Sequence, residues 1–273
     1  MTLTLSFTGG GFFLGVFSNA STRKLQSISG LRKTSRHFYR IMKLGTVNTV
    51  LIGQAAPYTR AGSCSAINKK AVAGTVTIHH AGLDGDEQGD RRVHGGPDKA
   101  VHVYPIEHYS YWRSQLGAMP LLKTPGAFGE NLSTEGVTEN GLCLGDQLRI
   151  GSVLFEISQS RQPCWKLNDR FGVCDMALRV QKSLRTGFYC RVLESGTLAA
   201  GDKITLIARP YPEWTLWRLM ELLYYKTLDF PSLKHALELP LTPPWRKLIE
   251  NRLASGQVED WGKRMNGPSG DHA

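Results

Sequence analysis

Cysteine is scarce in this sequence, and none of it falls in a C-x-x-C spacing. The five cysteines are Cys64, Cys143, Cys164, Cys174 and Cys190. An odd number without paired spacing indicates neither a disulfide framework nor a structural zinc site. The histidines also lack the H-E-x-x-H spacing of zinc hydrolases. We therefore expect a protein of a reducing compartment, with the cytoplasm as its predicted location.

Long apolar runs and a secretory signal are missing as well. No stretch reaches the roughly 18 consecutive apolar residues that a membrane-spanning helix needs. The first basic residue is Arg23, so the positive n-region that opens a secretory signal is absent. We predict neither a transmembrane segment nor membrane association.

Acidic residues are absent from residues 1–43, which carry a charge of +7 within a chain of net charge +10. The remaining excess is too small to indicate a nucleic-acid partner. A Ser- and Arg-rich leader without acidic residues is also typical of an organellar transit peptide. We favour a start codon assigned too early, with Met42 opening the chain, and predict that residues 1–43 lie outside the fold.

The sequence after the leader has β-strand patterning as far as about residue 210. Strand-length apolar runs include Val47–Ile52 and Val153–Ile157. The pattern Leu-x-x-Gly-Asp-x-apolar-x-apolar occurs twice, from Leu142 and from Leu198. Turns that feed alternating strands favour a barrel or sandwich. With helices predicted at 106–116 and 175–183, the fold class is mainly β with added helices.

The character of the sequence changes at Pro212. Leu216, Leu219, Met220 and Leu223 follow the spacing of an amphipathic helix. Similar spacing predicts a helix from Trp245 to Leu253, and a shorter helix is predicted at 232–238. We therefore predict a β domain over 44–210, a small three-helix domain over 211–265 and a tail over 266–273.

Two segments before residue 100 could bind ions. Asp84 to Asp90 holds four carboxylates, but it lacks the EF-hand ligands, so we predict a solvated acidic turn, with a hard-cation site as the alternative. The following segment combines arginines, His94, the glycine pair Gly95 and Gly96, and Lys99. Such a loop suits an anion, although by itself it fits a tight turn somewhat better.

Cys164 is the cysteine with chemically suggestive neighbours. It follows a predicted strand and Pro163, and Arg161 and Lys166 flank it. Nearby cations favour the thiolate form, which can act as a nucleophile, a redox sulfur or a soft metal ligand. Taken alone, these features leave a buried inert cysteine as the commoner outcome.

Four motifs occur in an order that resembles the MOSC-domain family, in its YiiM-like branch. They are Gly82-Leu-Asp-Gly-Asp86, Val93-His-Gly-Gly-Pro-Asp-Lys-Ala100, Phe128-Gly-Glu-Asn-Leu132 and Ser158-Gln-x-Arg-x-Pro-Cys164. The resemblance runs from about residue 44 to 263 and implies a MOSC-type β-barrel followed by a three-helix domain. Ser160 and Trp165 depart from the Pro and Tyr expected beside the motif cysteine.

The resemblance implies a molybdenum cofactor (molybdopterin) and the reduction of N-hydroxylated compounds, including hydroxylaminopurine-type base analogues, in detoxification. Cys164 would be the molybdenum ligand, and Glu130 or His94 would supply protons. The predicted cofactor-binding residues are Cys164, Arg161, Lys166, Asn131, Gly95, Gly96 and Lys99. An electron-donor protein, either a flavoprotein or a flavodoxin or iron-sulfur carrier, is implied as a partner, and a homodimer is left open.

Two alternatives remain open at this point. The chain could carry the cofactor or activated sulfur without turning over a substrate. It could instead be a metal-free cysteine hydrolase or transferase, which would require a histidine base facing Cys164.

Overall fold

The computed structural model describes residues 42–89 and 95–267, and a closed β-barrel is its largest element. Thirteen strands lie within these ranges: β1 (Met42–Ile52), β2 (Ala56–Pro57), β3 (Cys64–Ser65), β4 (Lys70–Val72), β5 (Val76–His79), β6 (Gly82–Leu83), β7 (Val101–Pro105), β8 (Leu132–Glu135), β9 (Gln147–Ile150), β10 (Val153–Ser160), β11 (Phe188–Glu194), β12 (Gly196–Leu198) and β13 (Lys203–Ala208).

Seven of these strands form the barrel in the order β13, β9, β10, β11, β7, β8 and β1. Pairing of β1 with β13 closes the ring, with Met42 opposite Leu206. Neighbouring barrel strands are antiparallel except β7 and β8, which run parallel. Closure leaves no free edge within the ring, and β4 adds a short strand outside it along β1. The predicted barrel is confirmed.

The repeated Gly-Asp pattern forms the same local structure at both positions. Gly145 and Gly201 have positive φ angles of 77° and 92°. The carboxylate of Asp146 accepts a hydrogen bond from the backbone N–H three residues earlier, at 2.9 Å. Asp202 does the same at 2.8 Å. Each turn feeds one strand, and these strands, β9 and β13, pair with each other in the barrel.

Three helices accompany the strands. They are α1 (Glu107–Leu116), α2 (Lys166–Phe171) and α3 (Met176–Ser183). The predicted helices at 106–116 and 175–183 correspond to α1 and α3. The strand-and-turn pattern did not predict α2, which begins two residues after Cys164 and is only six residues long.

The helices after the barrel are α4 (Leu216–Tyr224), α5 (Phe230–Ala236), α6 (Pro243–Ser255) and α7 (Gly262–Asn266). Thr215 caps α4 by accepting a hydrogen bond from the Arg218 N–H at 3.1 Å. The apolar stripe of α4 is buried, as its spacing predicted. The three predicted helices are present, and α7 is a short fourth helix that the sequence pattern did not indicate.

The barrel and the C-terminal helices share one hydrophobic core. Leu219 and Leu223 from α4 and Ile249 from α6 belong to the same buried cluster as Phe155 and Val192 of the barrel. All described residues fall within one compact unit. Among them, no helix combines the length and the apolar character needed to cross a membrane.

Several predictions fall on parts of the chain that the structure does not describe. Residues 1–41, 90–94 and 268–273 lie outside the described ranges, and with them His94 and most of the predicted leader. Met42 and Lys43, which were predicted to belong to the leader, are instead part of β1 and pair with Leu206 and Thr205.

Candidate active site

A pocket lies at one rim of the barrel, where β10 ends and β8 and β11 begin. Its cavity volume is about 90 Å³, and it opens to solvent. Loops that are distant in sequence form its wall: Ser65, Ala66, Ile67, Lys69, Asp86, Glu87, Gln88, Gly89, Lys99, His102, Phe128, Gly129, Asn131, Arg161, Cys164, Lys166 and Tyr189. Five of the residues predicted from sequence meet here: Cys164, Arg161, Lys166, Lys99 and Asn131.

Cys164 lines the pocket and is 8% exposed. All five cysteines are described, and none forms a disulfide. The Cys164 carbonyl accepts a hydrogen bond from the Leu167 N–H at 2.9 Å, at the start of α2. Lys99 and Tyr189 line the same pocket as Cys164, and burial raises the pKa of Tyr189. The arrangement places a thiol among cations, as its sequence neighbours predicted.

Arg161 is one of the buried cations of the pocket. Its backbone N–H donates to the Gly187 carbonyl at 3.0 Å, and its side chain shares the pocket wall with Tyr189. Within the described ranges, its Nη1 atom is buried and has no hydrogen-bond partner. A buried donor without a partner is costly, so Arg161 is suited to a ligand that brings an anionic or accepting atom into the pocket.

Lys166 and Lys99 place two further cations at the pocket. The Lys166 Nζ atom donates to the Cys64 carbonyl at 2.6 Å, which ties α2 to β3. Burial lowers the pKa of Lys99, and the nearby Asp98 opposes this effect. Gly96 has a positive φ and precedes the 3-10 turn Pro97–Lys99, but neither Gly95 nor Gly96 is among the described lining residues.

One carboxylate of the acidic turn, Asp86, is buried at the pocket. The Asp86 side chain is almost fully buried and bonds the Lys69 ammonium, and it accepts the Gly53 N–H at 2.7 Å. Burial lowers the pKa of Lys69, and Asp86 opposes this effect. Glu87 accepts the Ala55 N–H at 2.7 Å. The predicted solvated turn therefore holds for Asp84 and Glu87, which are exposed, but not for Asp86, which joins neighbouring loops.

The cation-site alternative for this turn also finds no support. Within residues 42–89 and 95–267, no three His, Cys, Asp or Glu side chains are grouped so that they could hold a metal ion.

Asn131 connects the strands behind the pocket. Its Nδ2 atom donates to Asp86 at 2.8 Å and to the Leu51 carbonyl at 3.3 Å. Its Oδ1 atom accepts the His102 N–H at 3.1 Å. The Asn131 amide therefore makes its hydrogen bonds within the protein. Its predicted role in cofactor binding stays a prediction.

Glu130 lies behind the pocket wall. It is 0% exposed, and it is not among the lining residues. Its carboxyl group accepts the Gly126 N–H at 2.7 Å, the Phe128 N–H at 3.1 Å and the Tyr109 hydroxyl. These contacts fix the 126–129 turn, so the geometry favours a structural role over the proton-donor role predicted for Glu130.

Trp165, one of the two departures from the family pattern, does not line the pocket. The Arg60 guanidinium lies over its ring at 4.2 Å, and the ring of Tyr58 is 6.1 Å away. Burial raises the pKa of Tyr58 to about 12. The Trp165 side chain therefore packs beside the cysteine loop and does not alter the pocket wall.

His102, Lys69 and Tyr189 line the pocket, yet the sequence patterns did not predict them as site residues. His102 and Tyr189 face each other from neighbouring strands, with ring centroids 5.0 Å apart. Alternation within β7 and β11 could have indicated which side chains share a face. It could not have shown that this face lines the same pocket as Cys164.

His102 is held in its neutral form. Burial lowers its pKa well below 6.5, and the charge of Arg161 adds to this effect. The unfolded chain binds a proton below about pH 6.5 that the folded chain does not bind, so folding stability falls as the pH falls through that value.

We expect His102→Gln to reduce the acid sensitivity of the cofactor-free protein. As the pH is lowered below 6.5, the free energy of unfolding should decrease more steeply for the parent than for His102→Gln. The difference in slope should be up to about 1.4 kcal/mol per pH unit. Urea denaturation at several values between pH 5 and 8 measures this difference. His235→Gln, at an exposed histidine, is the matched control. Equal slopes for the parent and His102→Gln would contradict the prediction.

The fold and the site define a class of protein: a closed β-barrel with appended helices that presents one thiol and several cations in a rim pocket. A family model described as "MOSC domain" matches residues 90–205. A second, described as "YiiM-like, 3-alpha helix domain", matches residues 214–256. The chain belongs to the MOSC-domain family, in its YiiM-like branch.

Relatives and solved structures agree with this assignment. "Protein YiiM" of Escherichia coli (strain K12) is 36% identical over 207 residues, covering 76% of this chain and 92% of that protein. The crystal structure of YiiM from Escherichia coli superposes with a TM-score of 0.67 at 29% identity, covering 82% of this chain and 98% of the other.

A third relative is much longer than the region it shares. A protein named "Reductase" from Gibberella moniliformis (strain M3125 / FGSC 7600) is 36% identical over 192 residues, which are 70% of this chain and 34% of that protein. Together with the family assignment, this relative supports a role related to the molybdenum cofactor.

Proposed function

We propose that this protein binds the molybdenum cofactor in the rim pocket and reduces N-hydroxylated compounds, such as hydroxylaminopurine-type base analogues, as a detoxifying enzyme. The observation that carries the proposal is the position of Cys164 in the same pocket wall as the buried Arg161, whose Nη1 atom has no hydrogen-bond partner among the described residues. A soft sulfur and an unmet cationic donor match the two ends of a molybdopterin, its metal and its phosphate.

The other residues of the pocket agree with this ligand. Lys99, Lys166 and Lys69 bring further positive charge to the wall, while Asp86 offsets one of these charges. Backbone and side-chain bonds hold Arg161 and Lys166 in place before any ligand binds. Such preorganisation lowers the entropic cost of binding.

The bound cofactor would supply the two-electron reduction that removes oxygen from an N-hydroxylated substrate. The Cys164 thiolate would coordinate the metal, and Arg161 would hold the pterin phosphate. His102, neutral because burial and Arg161 lower its pKa, would stay uncharged beside them. We do not assign the proton-donor role to Glu130, because its carboxyl group is buried and hydrogen-bonded to the 126–129 turn. His94 lies outside the described residues.

An electron-donor protein, of the flavoprotein, flavodoxin or iron-sulfur type, is part of the proposal because a reductase must be re-reduced after each turnover. The longer relative named "Reductase" supports an association of this domain with redox chemistry. The substrate is a small molecule, and the proposal involves neither nucleic acid nor membrane. A cytoplasmic location is proposed from the cysteine pattern, and a homodimer stays open.

A metal-free cysteine hydrolase is the less favourable function for this geometry. Such an enzyme needs a histidine that takes the proton of the thiol. His102 lines the same pocket, but burial and the charge of Arg161 lower its pKa and make it a weak base.

The test is to purify the protein from a cofactor-competent host and measure its molybdenum, its pterin and its reduction of 6-hydroxylaminopurine with reduced methyl viologen. The proposal expects about one molybdenum per chain and turnover of the N-hydroxy compound. Protein that holds the cofactor but reduces no N-hydroxy compound would instead support a cofactor or sulfur carrier. Protein without molybdenum or pterin would overturn the proposal.

Arg161→Gln should weaken cofactor retention by about 10- to 100-fold, because the variant loses the charged donor nearest the proposed phosphate site. Arg161→Lys keeps the charge but loses the planar guanidinium with its several donors. Its cofactor retention should lie between that of Arg161→Gln and that of the parent. Molybdenum content after stepwise dialysis measures the effect. Arg149→Gln, at a partly exposed arginine paired with Glu194 on the barrel, is the control. Unchanged retention in Arg161→Gln would remove Arg161 from the proposed site.

A further inference from the structure

The C-terminal helix α7 packs directly against the segment that carries Cys164. The Arg264 Nη1 atom donates to the Pro163 carbonyl at 2.6 Å, and the Arg264 carbonyl accepts the Trp165 N–H at 2.9 Å. These two bonds hold the residues on either side of Cys164. A single residue of α7 therefore fixes the backbone around the pocket thiol.

Arg264 is itself held in place by another element. Its Nη2 atom donates to Gln181 Oε1, which is buried in α3, at 2.7 Å. The next residue of α7, Met265, accepts the Asn168 side-chain N–H through its carbonyl at 2.8 Å. The contacts of α7 thus extend from Pro163 through Trp165 to α2 and α3.

The end of α7 closes over the same segment. Arg60 donates to the Asn266 carbonyl through Nη1, at 2.5 Å, while its guanidinium covers the Trp165 ring. Gly267 has a φ of 82°, and a Cβ there would lie 2.2 Å from Arg60 Nη1 and 3.0 Å from the Trp165 ring. The positive φ favours glycine, and a side chain at this position would also displace the end of Arg60 from the Trp165 ring.

The family match to the three-helix domain ends at residue 256, so α7 lies beyond it. We propose that Arg264 is a positioning residue, and that α7 acts as a strap that holds the Pro163–Trp165 segment so that the Cys164 thiol faces the pocket. The thiol's use as a metal ligand rests on the proposed function, whereas its orientation by α7 does not.

The test measures alkylation of the cofactor-free, full-length protein by iodoacetamide, followed cysteine by cysteine with peptide mass spectrometry across pH 6 to 9. Cys164 is only 8% exposed, so the reagent needs local opening of its loop. Arg264→Ala removes the bonds to Pro163 and Gln181 and should raise the alkylation rate of Cys164 by about tenfold. Arg264→Lys, which keeps one donor, should restore part of the protection.

Internal references separate positioning from general destabilisation. Cys143 and Cys190 are buried away from α7, and Cys174 is exposed, so their rates should stay constant in Arg264→Ala. Lys263→Ala removes an exposed charge from the same helix and should leave Cys164 unchanged. Gly267→Ala disturbs the strap without altering Arg264 and should act on Cys164 in the same direction.

Two results would overturn the proposal. One is an unchanged Cys164 rate in both Arg264→Ala and Gly267→Ala. The other is a rise that Cys143 and Cys190 share, which would show loss of the whole fold. The alkylation experiment uses protein without cofactor, so its result does not depend on whether the protein binds molybdenum. A protein that binds no molybdenum would therefore contradict the proposed function but not the role of Arg264.

Discussion

Cys164→Ser should abolish molybdenum retention and lower N-hydroxy reductase activity by about 100-fold or more. The hydroxyl of serine is a harder ligand than a thiolate and stays protonated near pH 7, so it should not replace the sulfur at a soft metal. Loss of residues that only support a metal ligand costs about 10- to 100-fold, and loss of the ligand itself should cost at least as much. Molybdenum content and turnover with reduced methyl viologen measure both effects.

The matched control is Cys174→Ser, because Cys174 is exposed and lies outside the pocket. Its metal content and activity should equal those of the parent. The Cys164→Ser protein should keep the thermal unfolding midpoint of the cofactor-free parent, since the exchange is nearly isosteric. A Cys164→Ser protein with full molybdenum and full activity would end the assignment of Cys164 as ligand.

Glu130→Gln should destabilise the folded protein by about 3 kcal/mol, which for a chain of this size lowers the unfolding midpoint by roughly 6–12 °C. The carboxyl group accepts the N–H groups of Gly126 and Phe128 and the Tyr109 hydroxyl. In Glu130→Gln, the side-chain NH2 group would face one of these three donors, which would then lose its hydrogen-bond acceptor. Calorimetry on the cofactor-free protein measures the shift.

Glu135→Gln is the control, since Glu135 is an exposed glutamate at the end of β8. Activity per folded molecule separates the two roles of Glu130. A general acid contributes about 100-fold or more to a rate, so a loss of that size at an unchanged midpoint would restore the proton-donor role. A lowered midpoint with retained activity would support the structural role.

The sequence predicted helices and strands well where the spacing of apolar residues and the turn-forming residues indicated the same element. The paired Gly145-Asp146 and Gly201-Asp202 turns, and the stripe of α4, depend on local geometry that a single segment determines. The pairing of β1 with β13 could not be predicted in this way, because it joins residues more than 150 positions apart. Helix α7 was also missed, since five residues show too little periodicity.

For the site, the motif order indicated which segments meet but not which side chains face the pocket. Glu130 and Asn131 are neighbours in one motif, yet Asn131 lines the pocket and Glu130 lies behind its wall. His102 stands outside every quoted motif and lines the pocket all the same. Which side of a turn a residue occupies depends on tertiary contacts such as the bond from Asn131 to Asp86, which no spacing in the sequence records.

Closure of the barrel through β1 and β13 also has a kinetic consequence. The first strand, Met42–Ile52, has no partner in β13 until the ribosome has delivered Lys203–Ala208. Pairings so distant along the chain are slow to form, because a long loop must be closed before they contribute. Until then, the Met42–Thr46 edge of β1 lacks its partner and the ring stays open, and we expect the emerging chain to be prone to aggregation at this stage.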